Sequence, residues 1–239
     1  SAQNLIDYLA KERNDTLVHV LGLEFAISEG FLRGYQYRII PITVNPDYQV
    51  GSDRDVAHDL WMRFQDEKRD RAARDAVEML VNDEKKRVLA YTGRTTEICS
   101  QLEDSITSHW KRESGIPIQF KKFTSEETLK ERKQIIKEFN SGNIRALIAI
   151  KCLDEGVNLP IADGAVMAIS DESHRQWIQR RGRILRKVDK YDDSVAMIVD
   201  YILDVRELGI LKPHLDKARN DLDRFNEFLE TSTIDSRAA

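Results

Sequence analysis

The stretch Glu131–Ile150, ERKQIIKEFNSGNIRALIAI, contains a change of period. Leu129, Ile136 and Phe139 fall on one face of a 3.6-residue repeat, which predicts an amphipathic helix over 126–139. Thr124 and Glu127 stand at capping-box spacing and are expected to start it, and Ser141-Gly142 to stop it. IRALIAI then reads as a different object: an apolar run of the length and character of a strand buried on both faces.

The same alternation repeats outward from that stretch. RVLAYT (87–92), IQFKKF (118–123), GAVMAIS (164–170) and SVAMIVDYI (194–202) are apolar, β-rich runs. Helical segments separate most of them, one capped by Thr95 or Thr96 and running to about Lys111. Strand and helix in alternation imply right-handed crossovers and a mainly parallel sheet covered on both sides, an α/β fold. Upstream, Asn4–Lys11 and Leu21–Glu29 read as short helices, the second stopped by Gly30. YQYRIIPITV (35–44) reads as a strand, VNPDYQVGSD (44–53) as a loop, and Val56–Leu80 as a helix. The middle of that helix, QDEKRDRAARD (65–75), reads as a charged, solvated face. HLDKARNDLDRFNEFLE (214–230) predicts a C-terminal helix.

The 239 residues are 41% hydrophobic, enough for a real core, and carry a net charge of −4. That balance alone does not announce a nucleic-acid binder, but the charges are segregated. Residues 171–190 hold seven Lys/Arg against three acids, while the chain beyond Asp216 is acid-rich. The two cysteines, Cys99 and Cys152, form no CxxC, and no His pair stands at metal spacing, so neither a disulfide nor a zinc site is expected. With no apolar run of bilayer length and no signal-peptide pattern, the expected setting is the cytoplasm, without a membrane partner.

In open parallel sheets ligands bind beyond the carboxyl ends of the strands, so the loops after Tyr91, Ile150, Ile169 and Tyr201 invite inspection. TGRTTE (92–97) offers either a cradle for a phosphate backbone or an ordinary turn with a helix cap. KCLDEGVNLP (151–160) joins acids, a Gly and an Asn. Asp154 or Glu155 would accept from ribose hydroxyls or orient an Arg, or form a plain surface acid pair. In SDESHRQWIQRRGRILRK (170–187), Gln179, Arg183 and Arg186 lie at helical positions i, i+4 and i+7. Arg180 and Lys187 share another face, and Trp177, Ile184 and Leu185 an apolar one. Aligned cations repel unless an anion neutralises them, and guanidinium forks match phosphate oxygens. DESH (171–174) imitates a magnesium-binding helicase box, but no G-x-x-x-x-G-K-[ST] phosphate cradle occurs in these residues, so it reads as coincidence.

These pieces, in this order, resemble the second motor domain of superfamily 2 helicases, of the restriction-type and DEAD/DEAH-like branch. RVLAYTGRT resembles the family's motif IV, ERKQIIKEFNSGNIRALIAIKCLDEGVNLP the approach to motif V and motif V itself, and QRRGRILR its motif VI. Leu185 stands where that motif has its second Gly, and Ile150 or Lys151 where many members have the Thr that heads motif V. LEFAISEGFLRGYQYRIIPITV (23–44) resembles the segment leaving the first motor domain. The resemblance implies a RecA-like (P-loop NTPase-type) sheet over 81–210, preceded by an extension (1–80) that holds the end of the first motor domain and a connecting helix. A C-terminal helix and tail (211–239) follow. It implies arginine fingers at Arg183 and Arg186, assisted by Gln179, and nucleotide coupling through Asp154, Glu155, Gly156 and Asn158. Contacts to nucleic-acid phosphates would come from Thr92, Gly93, Arg94 and Lys151. ATP and Mg2+ would be held mainly by a first motor domain, which with nucleic acid, DNA above all, completes the list of partners. These residues on their own would fold but not hydrolyse ATP. The rival expectations are a nucleic-acid-binding adaptor that kept the fold without the motor, and an unrelated α/β enzyme for a phosphorylated metabolite.

Overall fold

The computed structural model describes residues 23–82, 87–92, 95–113, 120–124, 126–150, 162–168, 180–187, 194–206 and 208–215, together with 218 and 221. The predicted helix at Asn4–Lys11, and all of the one at 214–230 except residues 214, 215, 218 and 221, lie outside the described residues.

Six strands form one parallel sheet: β1 (Tyr35–Ile42), β2 (Val88–Tyr91), β3 (Phe120–Phe123), β4 (Ala146–Ala149), β5 (Gly164–Met167) and β6 (Ala196–Leu203), in the order β1-β6-β5-β2-β4-β3. Each coincides with a β-rich run of the sequence. β1 pairs with β6 along its whole length, so residues 35–42 belong to the same sheet as 88–203. Its place at the edge tolerates Pro41, which lacks a ladder donor.

Every residue of β2, β4 and β5 is buried, because the sheet is covered twice. Alternate side chains feed two cores. Val88, Ala90, Ala146, Ile148 and Val166 enter one; Leu89, Tyr91, Leu147, Ala149 and Met167 enter the other. The first core is closed by α2 (Asp53–Val81) and α3 (Thr96–Glu113), with Leu208, Leu211 and Leu215 around the 3-10 turn Gly209–His214. The second is closed by α4 (Leu129–Asn140), by α1 (Leu23–Ser28) and by Ile184 and Leu185.

Local signals explain most of the boundaries. α1 ends at Gly30, whose φ of 73° is one that residues with a side chain rarely adopt. α2 starts in a reciprocal capping box between Ser52 and Asp55. α4 ends at Ser141 and Gly142, the latter at φ 81°.

Three expectations are corrected. α4 begins at Leu129, capped by Thr128 and Glu131, rather than at the Thr124–Glu127 box. The sequence repeats the same spacing twice. Glu127 Oε2 does accept from the amide and hydroxyl of Thr124, at 2.6 and 2.9 Å, but that closes a separate turn. Leu129 is therefore at the first helical position and 77% exposed, while Ile135 and Phe139 form the buried face with Ile136 packed beside them. The charged stretch 65–75 is not uniformly solvated either. Lys68 is fully buried and Asp75 nearly so, because α2 crosses a sheet that supplies partners for both.

Candidate functional site

The central strands end side by side. The Thr92 amide donates to the Ala149 carbonyl at 3.0 Å, Ala168 to Tyr91 at 2.9 Å, and Ile150 to Phe123 at 3.4 Å. From this edge the chain departs into the loops that the sequence marks. Thr92 itself is buried, and its amide is consumed by the sheet. Gly93, Arg94, Lys151, Asp154, Glu155, Gly156 and Asn158 lie outside the described residues. The same edge carries Asp204, whose amide donates to the Ile42 carbonyl at 2.9 Å. Hydrogen bonds from the Arg206 side chain and backbone hold its carboxyl down to about 2.

The Arg-rich run resolves into two populations. Residues 180–184 are helical, and Leu185 donates back to the Arg181 carbonyl at 3.1 Å as the last helical bond. Arg180 is fully buried, its guanidinium carbon 4.8 Å from the centre of the Tyr91 ring. A buried guanidinium on an aromatic face is held by packing and by the ring's charge distribution together. Arg181 is buried too. Arg183 is half-buried and Arg186 exposed. Arg180 and the half-buried Lys187 thus have different surroundings, contrary to the shared face expected of them.

Arg186 is also not on the helix, which corrects its expected placement in one helical row with Gln179 and Arg183. The helix stops at Ile184 because another segment takes over its bonding. The Arg33 amide donates to the Leu185 carbonyl at 3.0 Å, and Leu32 pairs with Arg186 in an antiparallel bridge. Gln179 lies outside the described residues.

The run therefore crosses the sheet's face. It starts at Tyr91, where β2 ends, and finishes beside Leu32, just before β1 begins. The turn with Arg183 and Arg186 sits toward the amino ends of the strands, away from the crevice at their carboxyl ends. A segment that leaves the carboxyl end of one parallel strand and returns to the amino end of the next must run this way.

Sequence reasoning missed Arg33. Its side chain is buried, with Nε donating to the Ile184 carbonyl at 2.9 Å and Nη1 to the Ser194 hydroxyl at 3.2 Å. Nη2 donates to the carbonyls of Ile184 and Ala162. The only signal was an Arg between Leu32 and Gly34, just ahead of a strand. Among the described residues, no group of three or more His, Cys, Asp or Glu is placed to hold a metal ion. Nor is any described helix long and apolar enough to cross a membrane.

A parallel sheet covered on both faces, with this strand order and an arginine-bearing turn beside it, defines a RecA-like α/β lobe. The fold is shared with the ATP-dependent Type ISP restriction-modification enzyme LlaBIII bound to DNA. That match has a TM-score of 0.51 and 14% identity over 85% of this chain and 15% of that one. Residues 71–188 match the helicase conserved C-terminal domain. Over 76 residues, 32% of the chain, it is 37% identical to DNA 3'-5' translocase XPB2 of Sulfurisphaera tokodaii. Over 128 residues, 48% of the chain, it is 28% identical to UvrABC system protein B of Staphylococcus epidermidis. The matched parts span 17% and 19% of those two proteins.

Proposed function

We propose that this chain is the second motor lobe of an ATP-dependent nucleic-acid helicase or translocase acting on DNA. Its Arg183 and Arg186 would reach the phosphates of ATP held in a facing P-loop domain. The observation that carries this reading is the split within one run. Arg180 and Arg181 are buried, Ile184 and Leu185 are core residues, and Arg183 and Arg186 are left toward solvent on a turn anchored from both sides. The named activity of the DNA translocase relative supports DNA as the substrate.

ATP with Mg2+, held mainly by the P-loop domain, supplies the phosphoryl group that is hydrolysed. Arg183 and Arg186 present fixed charge and N–H donors to its terminal phosphate as negative charge spreads in the transition state. Arginine fingers contribute on the order of 10³–10⁵ in rate, about 4–7 kcal/mol of barrier. Gln179 assists in the same cleft, and Asp154, Glu155, Gly156 and Asn158 connect it to the strand-binding edge. Gly93, Arg94 and Lys151 touch the nucleic-acid backbone. Thr92 is buried, so its side chain is not presented to that backbone. Because grip is on phosphates, it is largely independent of sequence and weakens with salt. Closure on ATP and reopening after hydrolysis alternate the grip and give stepping.

The test is nucleic-acid-stimulated ATP hydrolysis by a motor that combines this chain with a P-loop domain, set against the 239 residues alone. Stimulated turnover in the combined motor only, together with loss of DNA affinity and a flatter salt slope in Arg94→Ala, is the expected result. DNA binding with no ATPase in either form would select the adaptor reading instead.

A further inference from the structure

Arg33 lies two residues before β1, Ala162 two before β5 and Ser194 two before β6, and these three strands are neighbours in the order β1-β6-β5. From the approach to β1, one guanidinium binds the other two approaches, and the end of the arginine-bearing helix as well. Its contacts include the Ile184 carbonyl from Nε and Nη2, the Ala162 carbonyl from Nη2, and the Ser194 hydroxyl from Nη1. The backbone adds a further link, from the Arg33 amide to the Leu185 carbonyl.

The last carbonyls of a helix lack intrahelical partners and carry the negative end of its dipole. A buried cation there both completes their hydrogen bonds and offsets that charge. Arg suits the place because its planar fork donates in several fixed directions at once. The Ile184 carbonyl lies between Arg183 and Arg186 in the chain. Ala162 closes the segment that begins with KCLDEGVNLP. The side chain therefore joins the arginine-bearing segment to Ala162, on the approach to β5.

We infer that Arg33 is a positioning residue for the motor reaction. It fixes the segment carrying Arg183 and Arg186 relative to Ala162 and Ser194, at the amino ends of β5 and β6, so that the arginines and the sheet move as one body. This rests on the arginine-finger reading above. A displacement of about 1 Å far from the reacting atoms can cost about 10²-fold in rate, which sets the expected size of the effect.

The decisive variant is Arg33→Lys, which keeps the charge but donates from a single point and so cannot span Ile184, Ala162 and Ser194 together. In the motor combined with its P-loop domain, kcat should fall about 10–100-fold with KM for ATP changed less than about threefold. Faster hydrogen exchange at the Leu185 amide of the 239-residue chain should accompany it. Ser194→Ala, a milder lesion of the same contact set, should give a smaller fall in kcat in the same direction. Unchanged kcat per folded molecule in Arg33→Lys overturns the inference, as does unchanged exchange at Leu185. The two readings separate cleanly. If Arg183→Ala leaves turnover intact the finger assignment fails, whereas loss of turnover in Arg183→Ala but not in Arg33→Lys removes only the positioning role.

Discussion

Lys68 of α2 and Asp200 of β6 face each other with no solvent exposure, ammonium to Oδ1 at 3.8 Å. The pair does not stand alone. Tyr37 donates to Asp200 Oδ2 at 2.7 Å, the Tyr201 amide to Oδ1 at 2.8 Å, and the Lys68 ammonium to the Tyr201 carbonyl at 3.3 Å. Breaking a buried pair from one side leaves a charge without its counterpart. Lys68→Ala should destabilise the lobe by about 3–5 kcal/mol in urea unfolding. The double variant Lys68→Ala with Asp200→Ala should cost less than the sum of the singles. Additive costs would show that the two charges are not coupled.

Tyr201 continues the network, its hydroxyl donating to Asp75 Oδ2 at 2.6 Å. Burial, and then the Asp75 charge, push the phenol well above its usual range. A raised folded-state pKa means this contribution is complete below the unfolded value of about 10 and is lost as pH rises beyond it. Tyr201→Phe should therefore cost about 1–3 kcal/mol at neutral pH by stranding the Asp75 carboxylate. The penalty should shrink above pH 10, and a penalty constant to pH 11 would contradict this account.

The cap of α4 has the opposite pH sense. Hydrogen bonds from the Thr128 amide and hydroxyl hold the Glu131 carboxyl below its ordinary value. A lowered folded-state pKa gives stability that is present above the unfolded value, about 4.3, and lost as pH falls through the folded one. Thr128→Ala should cost about 1 kcal/mol at pH 7 and less near pH 3. Thr124→Ala should leave the start of α4 unchanged, as read from backbone chemical shifts at 128–132.

Within the arginine run, stability and activity should separate. Arg180→Ala removes a buried cation from the Tyr91 ring and should cost about 2 kcal/mol or more in thermal or urea unfolding. Arg183→Ala, at a half-buried position, should stay within about 0.5 kcal/mol of the parent. Equal losses in both would deny the two populations.

The sheet was legible because β2, β4 and β5 are buried on both faces, so their apolar runs carry no alternation to misread. Caps were half legible. Thr-x-x-Glu occurs twice in succession, and only the buried positions Ile135 and Phe139 decide which box opens the helix. The inward turn of Lys68 and Asp75 was not legible, since their partners lie more than a hundred residues away in β6. For the same reason the run Gln179–Arg186 looked like one continuous helix. What ends it is Arg33, which no local pattern connects to Ile184. The family resemblance singled out Arg183 and Arg186, and nothing in it pointed to the buried Arg33.

The central claim is that Arg183 and Arg186 act on nucleotide phosphates across a cleft. It is tested most directly by ATP turnover in the motor that combines this chain with its P-loop domain, measured for Arg183→Ala and Arg186→Ala alongside nucleotide affinity. Turnover should fall on the order of 10³-fold or more while ATP binding stays within a few-fold of the parent. Parental turnover in both variants would contradict the account.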